Sequence, residues 1–255
     1  MPYRRLPNTD AARIRALKSA LEKGREVPPH KLAYSAKNIV RLSKFIPLFE
    51  QSIQLQRQSF VRQSSKSKEY NETLRKARLY LSHFIRVMNM AIFRGDLPAE
   101  TRAFYGLATN DSALPSFNTE NELISWGKRI IEGEEFRIRK GGSPITNPTI
   151  AVVKVRFQNF LEQENFHKTI LKRTLDYTER TGDMRKEADE IILEVWNEIE
   201  ASLISLPEDM RMKESREYGI VYFYRKSELE KSILEDQKEI TTEDTAEIPA
   251  QDLVS

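Results

Sequence analysis

The sequence has no cysteine. That absence removes disulfides, a thiolate nucleophile and any cysteine-based zinc site, and it agrees with a reducing compartment. Glycine and proline are scarce too, nine and eleven residues in 255, while Arg, Lys, Glu, Leu, Gln and Ala recur in long runs, a balance that favours helix over sheet. No apolar run approaches the roughly 20 residues of a membrane span. Met1-Pro2-Tyr3-Arg4-Arg5 leads straight into polar sequence without a signal-peptide core. The expectation is a cytoplasmic protein with no membrane segment. Catalytic signatures are missing as well: there is no Gly-x-Ser-x-Gly elbow, and Gly141-Gly142-Ser143 has neither a strand before it nor a Lys after it. An enzyme is disfavoured, and no cofactor is expected.

What the sequence has is repetition. Asn8-Thr9-Asp10 opens a helical run containing Ile14, Lys18, Leu21 and Glu22, and Asn118-Thr119-Glu120 opens another with Ile124, Lys128, Ile131 and Glu132, a constant 110 residues later. Leu97-Pro98 with Arg102 is echoed by Leu206-Pro207 with Arg211, and each copy closes on Tyr105-Gly106 or Tyr218-Gly219. The fold class expected is all-α: a tandem duplication of a three-helix unit, one short and two long helices per copy, packed as a pseudo-two-fold helical bundle. The domain reading is a basic repeat over 1–110, an acidic repeat over 111–225 and an acidic, mostly disordered tail over 226–255.

Periodicity sets the helices. A first helix over 10–23 stops at Gly24, a second over 31–64 carries an inward track of Ile39, Leu42, Ile46, Phe49, Ile53, Gln56 and Phe60, and Pro47 should kink or split it. Ser64 to Lys68 reads as a polar connection to a third helix over 69–94. In the second copy a helix begins with the capping-box pair Thr119 and Glu122 and ends near Gly133, and Glu134 to Thr146 reads as a loop. Helices over 148–180 and 183–205 come next, the former with the track Val153, Phe157, Phe160, Glu164, His167, Leu171 and the latter with Trp196 at the edge of its apolar face. Ile220 to Tyr224 is the only β-prone run, read as an extended segment, and Ser227 to Lys238 as a short charged helix.

Charge is unevenly spread. Residues 1–110 hold 21 Lys and Arg against 8 Asp and Glu, whereas residues 111–220 hold 16 against 21. A half this basic attracts polyanions, and the acidic half offers it an internal or intermolecular partner. The leading expectation is a non-enzymatic helical interaction or scaffold protein that binds a protein partner or itself. The alternative is non-specific nucleic-acid binding through the basic first repeat, with Arg41, Lys44, Arg57, Arg62, Arg75, Arg102 and Arg211 as candidate anion or nucleic-acid contacts. A third reading, a metal-dependent bundle enzyme, rests on Glu164 and His167, whose i, i+3 spacing on an inward track matches helical carboxylate–imidazole ligation. The corresponding positions of the first copy, Ile53 and Gln56, supply no second half of such a site. His83 and His30 read as packing and loop residues.

Overall fold

Thr9 caps α1 (Asp10–Glu26): its side chain accepts from the Ala12 N–H at 3.2 Å. Thr119 does the same for α3 (Glu120–Arg139), and Glu122 returns a bond to the Thr119 N–H at 3.0 Å, closing the predicted capping box. This computed structural model, which describes residues 3–224, has three more α-helices: α2 (Ala36–Phe93), α4 (Ile150–Ser202) and α5 (Glu208–Glu217). A 3₁₀ segment, Ala99–Tyr105, comes after Pro98, just as α5 comes after Pro207. The strand β1 (Tyr3–Arg4) pairs antiparallel with β2 (Tyr222–Phe223), Tyr3 opposite Phe223, so the β-prone run is a two-residue ladder. The described residues are therefore all-α apart from that ladder, and none of their helices is long and apolar enough to cross a membrane. The charged helix and acidic tail read for 226–255 lie outside the described residues.

Several helix boundaries depart from expectation, each for a physical reason. Ser64 to Lys68 contains neither Gly nor Pro, so nothing stops the backbone ladder, and α2 is one helix of 58 residues. Pro47 lies within it without splitting it. Gly182 is likewise internal to α4, a helix of 53 residues. Gly24 and Gly133 do not end their helices. A Cβ on Gly24 would lie 2.2 Å from the Tyr34 hydroxyl, and one on Gly133 would lie 2.4 Å from the Phe104 carbonyl oxygen; both glycines serve close approach inside a helix.

The described residues divide into two compact units, one of residues 55–178 and the other of residues 3–54 with 179–224. In the latter unit, α1, the first part of α2, the last part of α4 and α5 enclose Leu17, Leu42, Phe49, Ile192 and Trp196, all of them 1% exposed or less. Trp196 is a core residue rather than an edge residue. In the 55–178 unit, the rest of α2, the 3₁₀ segment, α3 and the first part of α4 enclose Leu81, Phe84, Leu123, Ile130 and Phe160, all fully buried. Each such side chain contributes about 1.5–3 kcal/mol of burial. Within both units α2 and α4 run antiparallel, as Arg41 with Glu194 and Ser52 with Thr181 show in one and Ser67 with His167 in the other.

Burial repeats at a fixed spacing. Leu42, Ile46 and Phe49 are buried, and so are Val153, Phe157 and Phe160, each 111 residues on. Leu81, Ile85 and Met88 are buried with Ile192, Trp196 and Ile199 at the same separation. Each unit draws its first short helix and the start of a long one from one half of the sequence, and the end of a long helix with its succeeding short segment from the other half.

Candidate functional site

Charge is distributed between the units differently from between the sequence halves. Residues 55–178 hold 20 Lys and Arg against 13 Asp and Glu, a net +7, whereas residues 1–54 with 179–224 hold 17 against 16. In the second of these the cations of the first sequence half are engaged by anions of the second: Arg13 grips Asp189 with two bonds of 2.7 and 2.9 Å, Arg41 reaches Glu194 at 2.7 Å, Arg4 reaches Glu200 at 3.0 Å, and Lys23 pairs with Glu217. Arg185 returns the exchange on Asp10 at 2.7 and 2.8 Å. Forked guanidinium–carboxylate bonds fix which helices lie together more than they add stability.

The anion candidates therefore scatter. Arg41 is committed to Glu194. Lys44 and Arg75 are exposed on α2. Arg102 is 4% exposed, its Nε and Nη2 without a hydrogen bond among the described residues, whereas Arg211 lines a cleft beside Glu200 and Glu208. The two arginines are not equivalent anion pockets. Tyr105 and Tyr218 are buried, and Gly106 and Gly219 take positive φ of 71° and 87°, the left-handed conformation that glycine supplies at the end of a helical segment.

Arg57 and Arg62 do come together. Both line one hollow on α2, and Arg62 also lines an adjoining groove that it shares with Arg173 of α4. That groove encloses about 380 Å³. Leu55, Phe166, Ile170 and Tyr177 form its apolar walls, and Ser59, Thr169 and Thr174 supply hydroxyls. No acidic residue lines it, and among the described residues neither Arg62 nor Arg173 has an ion-pair partner. Thr174 is 5% exposed and its hydroxyl makes no hydrogen bond among the described residues. Arg173 belongs to the acidic half, so sequence reasoning misses it; the cation on the facing helix is visible only once α2 and α4 are paired.

Glu164 and His167 are both on the inner side of α4 but turn to different partners. Glu164, 5% exposed, is ion-paired with Lys168. The His167 ring stacks on Tyr70 at 4.5 Å between centroids, and its Nε2 lies 3.1 Å from the Ser67 hydroxyl. Tyr70 donates to Glu120, and burial, followed by that bond, raises its pKa. Among the described residues no group of three His, Cys, Asp or Glu converges as metal ligands would. His83 is exposed rather than packed.

One buried ionic site is invisible to the sequence reading, because Glu134 and Arg137 fall in an expected loop. Both are in α3, 0% and 4% exposed. Arg137 holds the Glu134 carboxylate with bonds of 2.7 and 2.9 Å and reaches the Ser143 carbonyl at 2.6 Å. Glu134 also accepts from the Tyr105 hydroxyl and from the Ile145 N–H at 2.9 Å. Burial pushes the Glu134 carboxyl up, but these donors outweigh it and its pKa lies below the ordinary carboxylate value. Both its oxygens face protein donors, so the site anchors the 140–149 loop and the Tyr105 turn to α3. The i, i+3 pair of opposite charges is the signal that could have found it.

No protein-family model, curated protein or solved structure matches this chain.

Proposed function

We propose that this chain is a non-enzymatic helical interaction or scaffold protein, built from a duplicated helical module and binding its partner through the 55–178 unit. The observation that carries the reading is the groove lined by Arg62 and Arg173, where two cations meet apolar walls with no acidic residue in the lining. Elsewhere the buried carboxylates Glu134 and Glu164 are engaged in internal pairs with Arg137 and Lys168, an arrangement that holds side chains within the helices in place. The duplication is supported by the matched burial 111 residues apart and by the reciprocal make-up of the units.

The test is capture with the full chain. A partner present at near one-to-one stoichiometry at about 0.1 M salt and released at about 1 M is the expected outcome; a chain that elutes alone and monomeric at both overturns the reading. A second reading, non-specific nucleic-acid binding, is favoured by the net +7 of residues 55–178. A gel-shift with duplex and single-stranded probes at low salt that shows no retardation removes it.

A further inference from the structure

In the 55–178 unit, α3 covers the paired helices where Leu81, Phe84, Phe157 and Phe160 are buried. Residues 55–66 of α2 and 166–177 of α4 contribute nothing to that core cluster. The apolar tracks nevertheless continue into this stretch. Phe49, Ile53 and Phe160, on the covered parts of their tracks, are buried, whereas Phe60 and Leu171, farther along, are 50% and 39% exposed. Val61, in the hollow adjoining the groove, is 71% exposed. Two helices carrying an apolar seam with no third helix over it among the described residues leave a space shaped for one.

We infer that this groove is the docking site for an acidic amphipathic helix of a partner protein, a proposal that rests on the interaction reading above. Its rims, Arg57, Arg62 and Arg173, call for carboxylates on both flanks of the incoming helix, and Leu55, Phe166 and Ile170 call for an aliphatic stripe between them. The buried Thr174 hydroxyl offers a hydrogen bond to a group entering the groove. A second copy of this chain is a poor occupant, because a self-complementary contact sets these cations against one another. A nucleic-acid strand satisfies the arginines but leaves Val61 and Leu55 without apolar cover, since strand binding draws on aromatic stacking more than aliphatic burial.

The test uses the full chain and fluorescence anisotropy. The probe is a labelled helical peptide with Leu at i, i+3, i+4 and i+7 and Glu on both flanks; the controls are the same residues scrambled and a single-stranded oligonucleotide. The expected result is saturable binding of the amphipathic probe alone, weakened about tenfold or more by Arg62→Glu with Arg173→Glu, and weakened independently by Val61→Asp. These side chains are exposed, so the variants should keep the parent melting temperature. Equal binding of the scrambled peptide, no binding of either peptide, or tighter binding of the oligonucleotide with the same arginine dependence overturns the proposal. If the capture experiment still yields a salt-released partner that Arg62→Glu with Arg173→Glu retains, the groove falls while the interaction reading stands; if no partner is captured, both fall.

Discussion

Glu134 is the side chain on which most of the local order in α3 converges. Removing it strands a buried guanidinium, and breaking one member of a buried ion pair costs about 3–5 kcal/mol. Glu134→Ala should therefore lower the thermal melting temperature sharply, and Glu134→Gln, which keeps an acceptor but not the charge, should fall between. The same carboxylate predicts an acid response. Its folded pKa is depressed, so its stabilisation is fully present above the unfolded value, about 4.3, and is lost as pH falls through the lower folded pKa. Urea midpoints measured between pH 6 and pH 3 should decline in the parent and decline less in Glu134→Gln. Tyr34 behaves differently: burial, with a smaller contribution from Tyr218, pushes its phenol up to about 12, so it stays neutral and keeps donating to the Ala20 carbonyl at 2.7 Å. Residue types foretell the turn glycines and the Thr119 cap, which depend on local backbone chemistry. They do not foretell Arg102 or Glu134, whose burial is decided by neighbours distant in sequence.

At the scale of the element, the long helices carry the surprise. Hydrophobic spacing locates them and marks most of their buried faces, Leu42 to Gln56 and Val153 to Glu164 among them. Their continuity is not legible, because polar runs such as Ser64 to Lys68 are compatible with a loop until the flanking helices supply a reason to stay wound. Gly182 tests that continuity. It sits inside α4, and a Cβ there would meet nothing within 4 Å. Gly182→Ala should raise stability by about 0.4–1 kcal/mol, seen as a higher melting temperature; a loss would mean that the backbone turns at this point. Gly127 predicts the opposite sign, since its added Cβ would lie 2.2 Å from the Phe157 ring, itself 3% exposed. Gly127→Ala should cost about 1–3 kcal/mol through overpacking, read from the urea midpoint.

For the molecule as a whole, the sequence halves and the compact units do not coincide. Residues 1–110 supply α1 and all of α2, yet Leu17 and Phe49 are covered by side chains such as Ile192 and Trp196 from beyond residue 178. A fragment ending at residue 110 should therefore lack a cooperative melt by circular dichroism, as should its complement 111–224, and mixing the two should restore one. Net charge by half points to a basic surface on the first copy; the ion pairs of Arg13, Arg41 and Lys23 with residues of the other half leave the excess on residues 55–178 instead. That relocation comes from pairing, which composition does not encode.

The short stretch that joins the 3₁₀ segment to α3 has a larger role than its length suggests. With it intact, the two complementary sets of helices find each other at an effective concentration fixed by the tether, so assembly is unimolecular and indifferent to dilution. Cut it, and the same assembly becomes an encounter between separate molecules whose melting point climbs with protein concentration.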